Sequence, residues 1–123
     1  MYSFVITGRL KPYVRMTRLG QYVDAQAKEY KASQSAIAWQ YKKRMLECSW
    51  AMLPERTPLS AHILVEAPKR LHASDLDNTV KAVLDAAQGV VFKNDLWVDE
   101  IHAGRRLGME YRALIRIGIA QNQ

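Results

Sequence analysis

The run Ser74-Asp75-Leu76-Asp77-Asn78-Thr79-Val80-Lys81-Ala82-Val83-Leu84-Asp85-Ala86 sets three carboxylates and one ammonium among apolar residues spaced for a helix. An α-helix turns about 100° per residue, so steps of four return close to the same face. Leu76, Val80, Val83, Leu84 and Ala87 then form a stripe toward the core, with Asp77, Lys81 and Asp85 beside it. Asp75 precedes the first full turn, where it or Ser74 can cap the helix. Two readings fit. Carboxylates at a helix start accept free N–H groups and favour the helix dipole, and Asp77 with Lys81 is an ordinary i,i+4 pair. Alternatively Asp75 and Asp77, two apart at a strand-to-helix junction, converge on a hard cation. Mg²⁺ takes oxygen ligands and few carboxylates, leaving places for water and substrate phosphate. A second acidic set, Asn94-Asp95 and Asp99-Glu100, follows a turn signal at Lys93-Asn94-Asp95 that can return toward the helix start.

Charge favours the second reading. Residues 75–100 carry six acids against Lys81 and Lys93, a net of −4, whereas the rest carries 16 basic and 6 acidic residues, a net of +10. An acidic island in a basic chain suits a metal-assisted enzyme acting on a polyanion: carboxylates hold the metal and cations hold phosphates. Candidate backbone contacts are Lys11, Arg15, Arg18, Lys69, Arg70, Lys93, Arg105 and Arg106, each of which is otherwise a solvated surface charge. His62, His72 and His102 match no zinc spacing.

The elements that would position these groups are readable from periodicity. Tyr2–Gly8 is aromatic and β-branched and predicts a first strand. Lys11–Asp24 has no period and reads as a loop or irregular arm. Ala27, Tyr30, Ile37, Tyr41, Met45, Cys48 and Met52 predict one helix over 26–53, stopped by Pro54. Leu59–Pro68 predicts a strand with His62 and Glu66 on one face. The second helix covers Ser74–Ala87, ended by Gly89. Trp97–Ala103 and Tyr111–Ala120 read as two strands joined by Gly104–Glu110 in a hairpin. The order β-α-β-α-β-β predicts an α+β domain of two layers, a mixed sheet with two helices packed on it, over residues 1–123.

With 123 residues the chain supports one core. No apolar run reaches membrane-span length, and residues 1–11 lack signal-peptide features, so a cytoplasmic location is expected. The lone Cys48 agrees with a reducing compartment and reads as a small buried hydrophobe.

The segment from Pro68 to Glu100 resembles the RusA family of Holliday-junction resolvases. It carries Pro68, Lys69-Arg70, Asp75-Leu76-Asp77-Asn78, Lys81, Leu84-Asp85-Ala86, Gly89 and Asn94-Asp95. The resemblance implies Mg²⁺ ligands at Asp75, Asp77 and Asp95, with Mn²⁺ able to substitute, and Lys81 as the catalytic lysine. It departs from the family at Asn94, where an acid is common, and at Trp97, where a small or polar residue is usual. It further implies symmetric cleavage of a four-way DNA junction in recombination and repair by a homodimer, bacterial or phage-encoded, needing no small-molecule cofactor. Trp39 and Trp50 then serve either that dimer or the core. Two other functions fit the composition: a junction- or DNA-binding module without chemistry, and a Mg²⁺-dependent phosphohydrolase or transferase acting on small nucleotides.

Overall fold

Alternation along Tyr2–Thr7 (β1) sends Phe4 and Ile6 inward and leaves Ser3, Val5 and Thr7 exposed. The same period-2 logic makes strands of Leu59–Ala67 (β2), Val98–Leu107 (β3) and Arg112–Ile119 (β4). The computed structural model describes residues 1–9, 20–70 and 75–121. The four strands form one sheet in the order β1-β4-β2-β3. β4 runs antiparallel to both neighbours, while β2 and β3 are parallel. Two helices, Gly20–Glu47 (α1) and Asp75–Ala87 (α2), contribute Ile37, Tyr41, Val83 and Leu84 to the core against Phe4, Ile63 and Ile115. The expected α+β order is the observed one.

The helix α1 begins earlier than the periodicity suggests, so 20–24 are helical rather than part of a loop. It also ends earlier. Ser49 has φ +55, Ser49 N–H bonds to Leu46 O at 3.2 Å and Trp50 N–H to Met45 O at 2.9 Å. This left-handed cap, not Pro54, stops the helix. Trp50 thereby turns under the sheet and stacks on Tyr2, with ring centroids 4.4 Å apart and planes nearly parallel.

The expected hairpin between the last two strands is not formed. β2 lies between β3 and β4, and residues 104–107 belong to β3. A chain pattern reports each strand's faces but not its neighbour, and β2 is buried along most of its length because it sits inside the sheet. The link from β3 to β4 crosses the end of β2, where Gly108 N–H bonds to Ala67 O at 3.0 Å. A Cβ at 108 would stand 3.2 Å from Glu66 Cβ, so the crossing is tight.

Candidate active site

β2, α2 and β3 form a parallel crossover unit. Its geometry decides where each candidate residue stands. A crossover helix starts beyond the carboxyl end of its first strand and returns the chain to the amino end of the next. The start of α2 therefore lies at the edge where β2 and β3 end. The chain leaves α2 at the opposite edge, where β3 begins.

At the first edge, Asp75 supplies the opening backbone of α2, its side chain lying outside the described residues. Leu76 and Val80 are half-buried and Thr79 is buried, which fixes the helix rotation and leaves Asp77 and Lys81 exposed on one side. Lys69, Arg70, Arg105 and Arg106 come together here, lining a small pocket of ≈ 50 Å³ floored by Val65, Ala67 and Leu107. Half of the candidate phosphate contacts thus share one end of the sheet with the first two acids. Lys11, Arg15, Arg18 and His72 lie outside the described residues.

Glu66 anchors this edge, and the motif pattern does not mark it. It is 5% exposed, accepts from Arg106 Nε at 2.8 Å and is paired with Arg112 Nε on its other oxygen. These three residues are direct cross-strand partners on β3, β2 and β4. The two guanidiniums hold the Glu66 carboxyl below its ordinary range. A glutamate inside a mostly apolar strand needs a partner, and that is the signal the sequence offers.

The second edge holds Asp95. Gly89, at φ +82, ends α2, and Val91 and Phe92 turn into the core. A short 3-10 turn, Asp95–Trp97, then leads into β3. Asn94 Oδ1 accepts Leu96 N–H at 2.9 Å, and Gln88 Oε1, just past the end of α2, accepts Asp95 N–H at 3.1 Å. The Asn94 amide is thus a helix cap, a task asparagine and aspartate both perform. Lys93 pairs with Glu55 at 3.0 Å on this same side, away from the other cations.

Thirteen residues of α2, about 1.5 Å each, separate the two edges by roughly 20 Å. The turn after α2 does not return to the helix start, because a parallel crossover must enter β3 from the other end. Asp77 and Asp95 of one chain do not converge. Among the described residues no three His, Cys, Asp or Glu side chains are grouped to hold a metal. The chemistry of Asp75, Asp77 and Asp95, hard oxygen donors beside cations, fits Mg²⁺, but not as a single-chain triad.

Asp85 belongs to neither edge. Its Oδ2 accepts from Tyr30 OH at 3.2 Å, so it ties α2 to α1. His62 and His102 stack at 4.6 Å on the sheet face away from the helices, with His102 Nε2 3.6 Å from Glu100. Partial burial, then His102 and Arg116, lower the His62 pKa. Trp50 is partly buried and packs against the core, and Trp39 is 61% exposed.

An acid-bearing helix start at the same end of the sheet as four cations suits a phosphodiester substrate. The family model described as Endodeoxyribonuclease RusA matches residues 4–118, nearly the whole chain. The chain belongs to the RusA family and is a nuclease, a hydrolase acting on the phosphodiester bonds of DNA. No curated protein matches it. Among the described residues no helix is long and apolar enough to cross a membrane.

Proposed function

We propose that residues 1–123 act as one Mg²⁺-dependent domain that resolves four-way DNA junctions as a homodimer, with each metal ion shared between two copies. Asp75 and Asp77 of one protomer and Asp95 of its partner are the ligands. The carrying observation is the joint one at the carboxyl edge of β2 and β3. There α2 opens with its acids beside Lys69, Arg70, Arg105 and Arg106, while Asp95 stands at the other end of the helix.

When bound, Mg²⁺, or Mn²⁺ in its place, supplies an activated water and neutralises charge on the scissile phosphate. The protein's part is positional. The four cations seat the DNA backbone without reading its sequence. Lys81, one helical turn past Asp77, directs its ammonium to the same side and stabilises the phosphate as charge develops. Glu66 fixes Arg106 by its Nε, so that the guanidinium meets phosphate in a set orientation. Two sites related by a two-fold axis suit the paired cuts a four-way junction requires.

The test uses a synthetic four-way junction and a linear duplex, each with Mg²⁺ or EDTA. Paired nicks on the junction alone, lost in EDTA, are expected; cutting of both substrates alike removes the junction assignment. Sharing of the ion is tested by mixing Asp77→Asn and Asp95→Asn chains after partial unfolding and reassembly. Each variant alone is inactive. In mixed dimers one of two sites regains all its ligands, so about a quarter of wild-type nicking returns. No recovery at any mixing ratio rejects the shared site.

A further inference from the structure

We infer that Arg116, His62 and His102 form a phosphate-binding site on the sheet face away from the helices, apart from the acids of α2 and the cations at its start. The three side chains stand in one register row: His102 on β3 pairs with His62 on β2, and His62 with Arg116 on β4. Neighbouring strands lie about 4.8 Å apart, so the row sets three basic groups within roughly 10 Å. The imidazoles are stacked, with planes 9° apart. His62 is half-buried, whereas His102 and Arg116 are exposed. The row borders a groove of ≈ 1070 Å³ that Trp39, Lys43 and Arg44 of α1 line on its far side.

A second row on the same face shows what such an arrangement holds. Four residues further along β2, about 13 Å away, Glu66 sits between Arg106 on β3 and Arg112 on β4 and pairs with both. That internal carboxylate engages both flanking guanidiniums. In the row of His62 the central place is an imidazole instead, and among the described residues Arg116 has no ion-pair partner. Glu100 meets only the end of this row, 3.6 Å from His102 Nε2. The anion that completes it comes from outside the chain. A tetrahedral oxyanion seated over the row accepts from both imidazoles and from the guanidinium.

His62 faces Ser60 Oγ at 3.5 Å on its own strand, His102 and Glu100 on β3 and Arg116 on β4, and across the groove Lys43 lies 4.0 Å from Glu47. Burial, His102 and Arg116 hold the His62 pKa below its ordinary value, outweighing Glu100. A bound phosphate reverses that balance, because its charge offsets Arg116 and draws a proton onto the ring. Binding therefore tightens as pH falls through the imidazole range. The phosphate is carried either by a DNA backbone beyond the cleavage site or by a free nucleotide.

The experiment follows the His62 ring proton by NMR against pH in EDTA, its peak assigned by its loss in His62→Gln. The full chain is titrated alone, with inorganic phosphate in excess and with a short DNA duplex. The duplex is expected to raise the His62 midpoint by about one unit, which corresponds to tenfold tighter binding to the charged ring. Inorganic phosphate should raise it by less. In Arg116→Gln the rise should be lost; His102→Gln repeats the comparison if Arg116→Gln fails to give a wild-type circular dichroism spectrum. A rise with inorganic phosphate and none with the duplex keeps the site and assigns it to a free phosphate compound. A midpoint moved by neither addition overturns the site, as does an undiminished rise in the folded variant. The readout needs no cleavage, so the junction and shared-ion readings stand or fall separately.

Discussion

The two halves of α2 differ in what their polar groups touch. In the second half, Ala82 O accepts from Gln34 Nε2 at 3.0 Å, Val83 O from Tyr41 OH at 3.1 Å and Asp85 from Tyr30 OH at 3.2 Å. All three donors come from α1, so this half is fastened to the other helix. In the first half, Asp77 and Lys81 are exposed on the side where four cations gather. Carboxylates of one short helix therefore have two tasks, and surroundings rather than sequence separate them. The second half is fastened from within the chain; the first half presents its charges outward.

The sharpest break in that comparison is Asp77→Asn. Removing one anionic donor of the proposed metal site while keeping size should lower junction cleavage about 10³-fold, with thermal stability unchanged. Junction binding, measured by gel shift in EDTA, should persist. Cleavage within a few-fold of wild type would mean that the exposed half of α2 is only a well-capped helix start.

Next in size is the effect of the cation pocket. Lys69→Ala with Arg70→Ala should weaken junction binding and lower the slope of log affinity against log salt by about 0.9 for each phosphate that is no longer neutralised. Lys93→Ala, at the other edge and paired with Glu55, should leave that slope unchanged. Equal slopes for the two variants would dissolve the distinction between the edges.

Much of this division is legible in the sequence and part of it is not. The elements and their order follow from periodicity, and the apolar stripe of α2 correctly orients Asp77 and Lys81 outward. Asp85 shares the stripe of Asp77 and Lys81 in the sequence, and its bond to Tyr30 is what sets it apart. The position of Asp95 is not legible, because turn chemistry at 93–95 signals that the chain bends but not at which end of the sheet. Strand pairing decides that, and β2 takes the place between β3 and β4 that a hairpin would have closed. The end of α1 is hidden since its cap is a serine in a left-handed conformation, a place glycine normally marks. Glu66 can be found from the need of a buried carboxylate for a partner, yet which arginines serve it depends on register.

A smaller effect is expected at Glu66, whose carboxyl is held below its ordinary value near 4.5 by Arg106 and Arg112. The ionised form therefore stabilises the fold fully above that ordinary value, and the contribution is lost as pH falls through the depressed native value. Melting temperature followed from pH 6 to pH 2 should drop on this limb in the wild type. Glu66→Gln should start lower at pH 6 and show a flatter acid limb. Parallel limbs would show that the clasp carries no linked proton.

The smallest effect tests the saturated half. Asp85 lies within the same Leu-Asp-Ala run as the family pattern, so a functional role would make Asp85→Asn as damaging as Asp77→Asn. Its geometry says otherwise: the carboxylate is half-buried and engaged by the Tyr30 hydroxyl, on the side of α2 that meets α1. Asparagine keeps an acceptor oxygen but gives up the charge, so the loss should be about 1 kcal/mol of stability, or a fall in melting temperature of about 4 °C. Junction cleavage per folded molecule should match the wild type, as should its Mg²⁺ dependence. Tyr30→Phe removes the same bond from the other side, and the double variant should then be no less stable than the worse single one, since both delete one interaction. A loss of cleavage in Asp85→Asn with Tyr30→Phe fully active would move Asp85 across the boundary, from fastening the helix to serving the site.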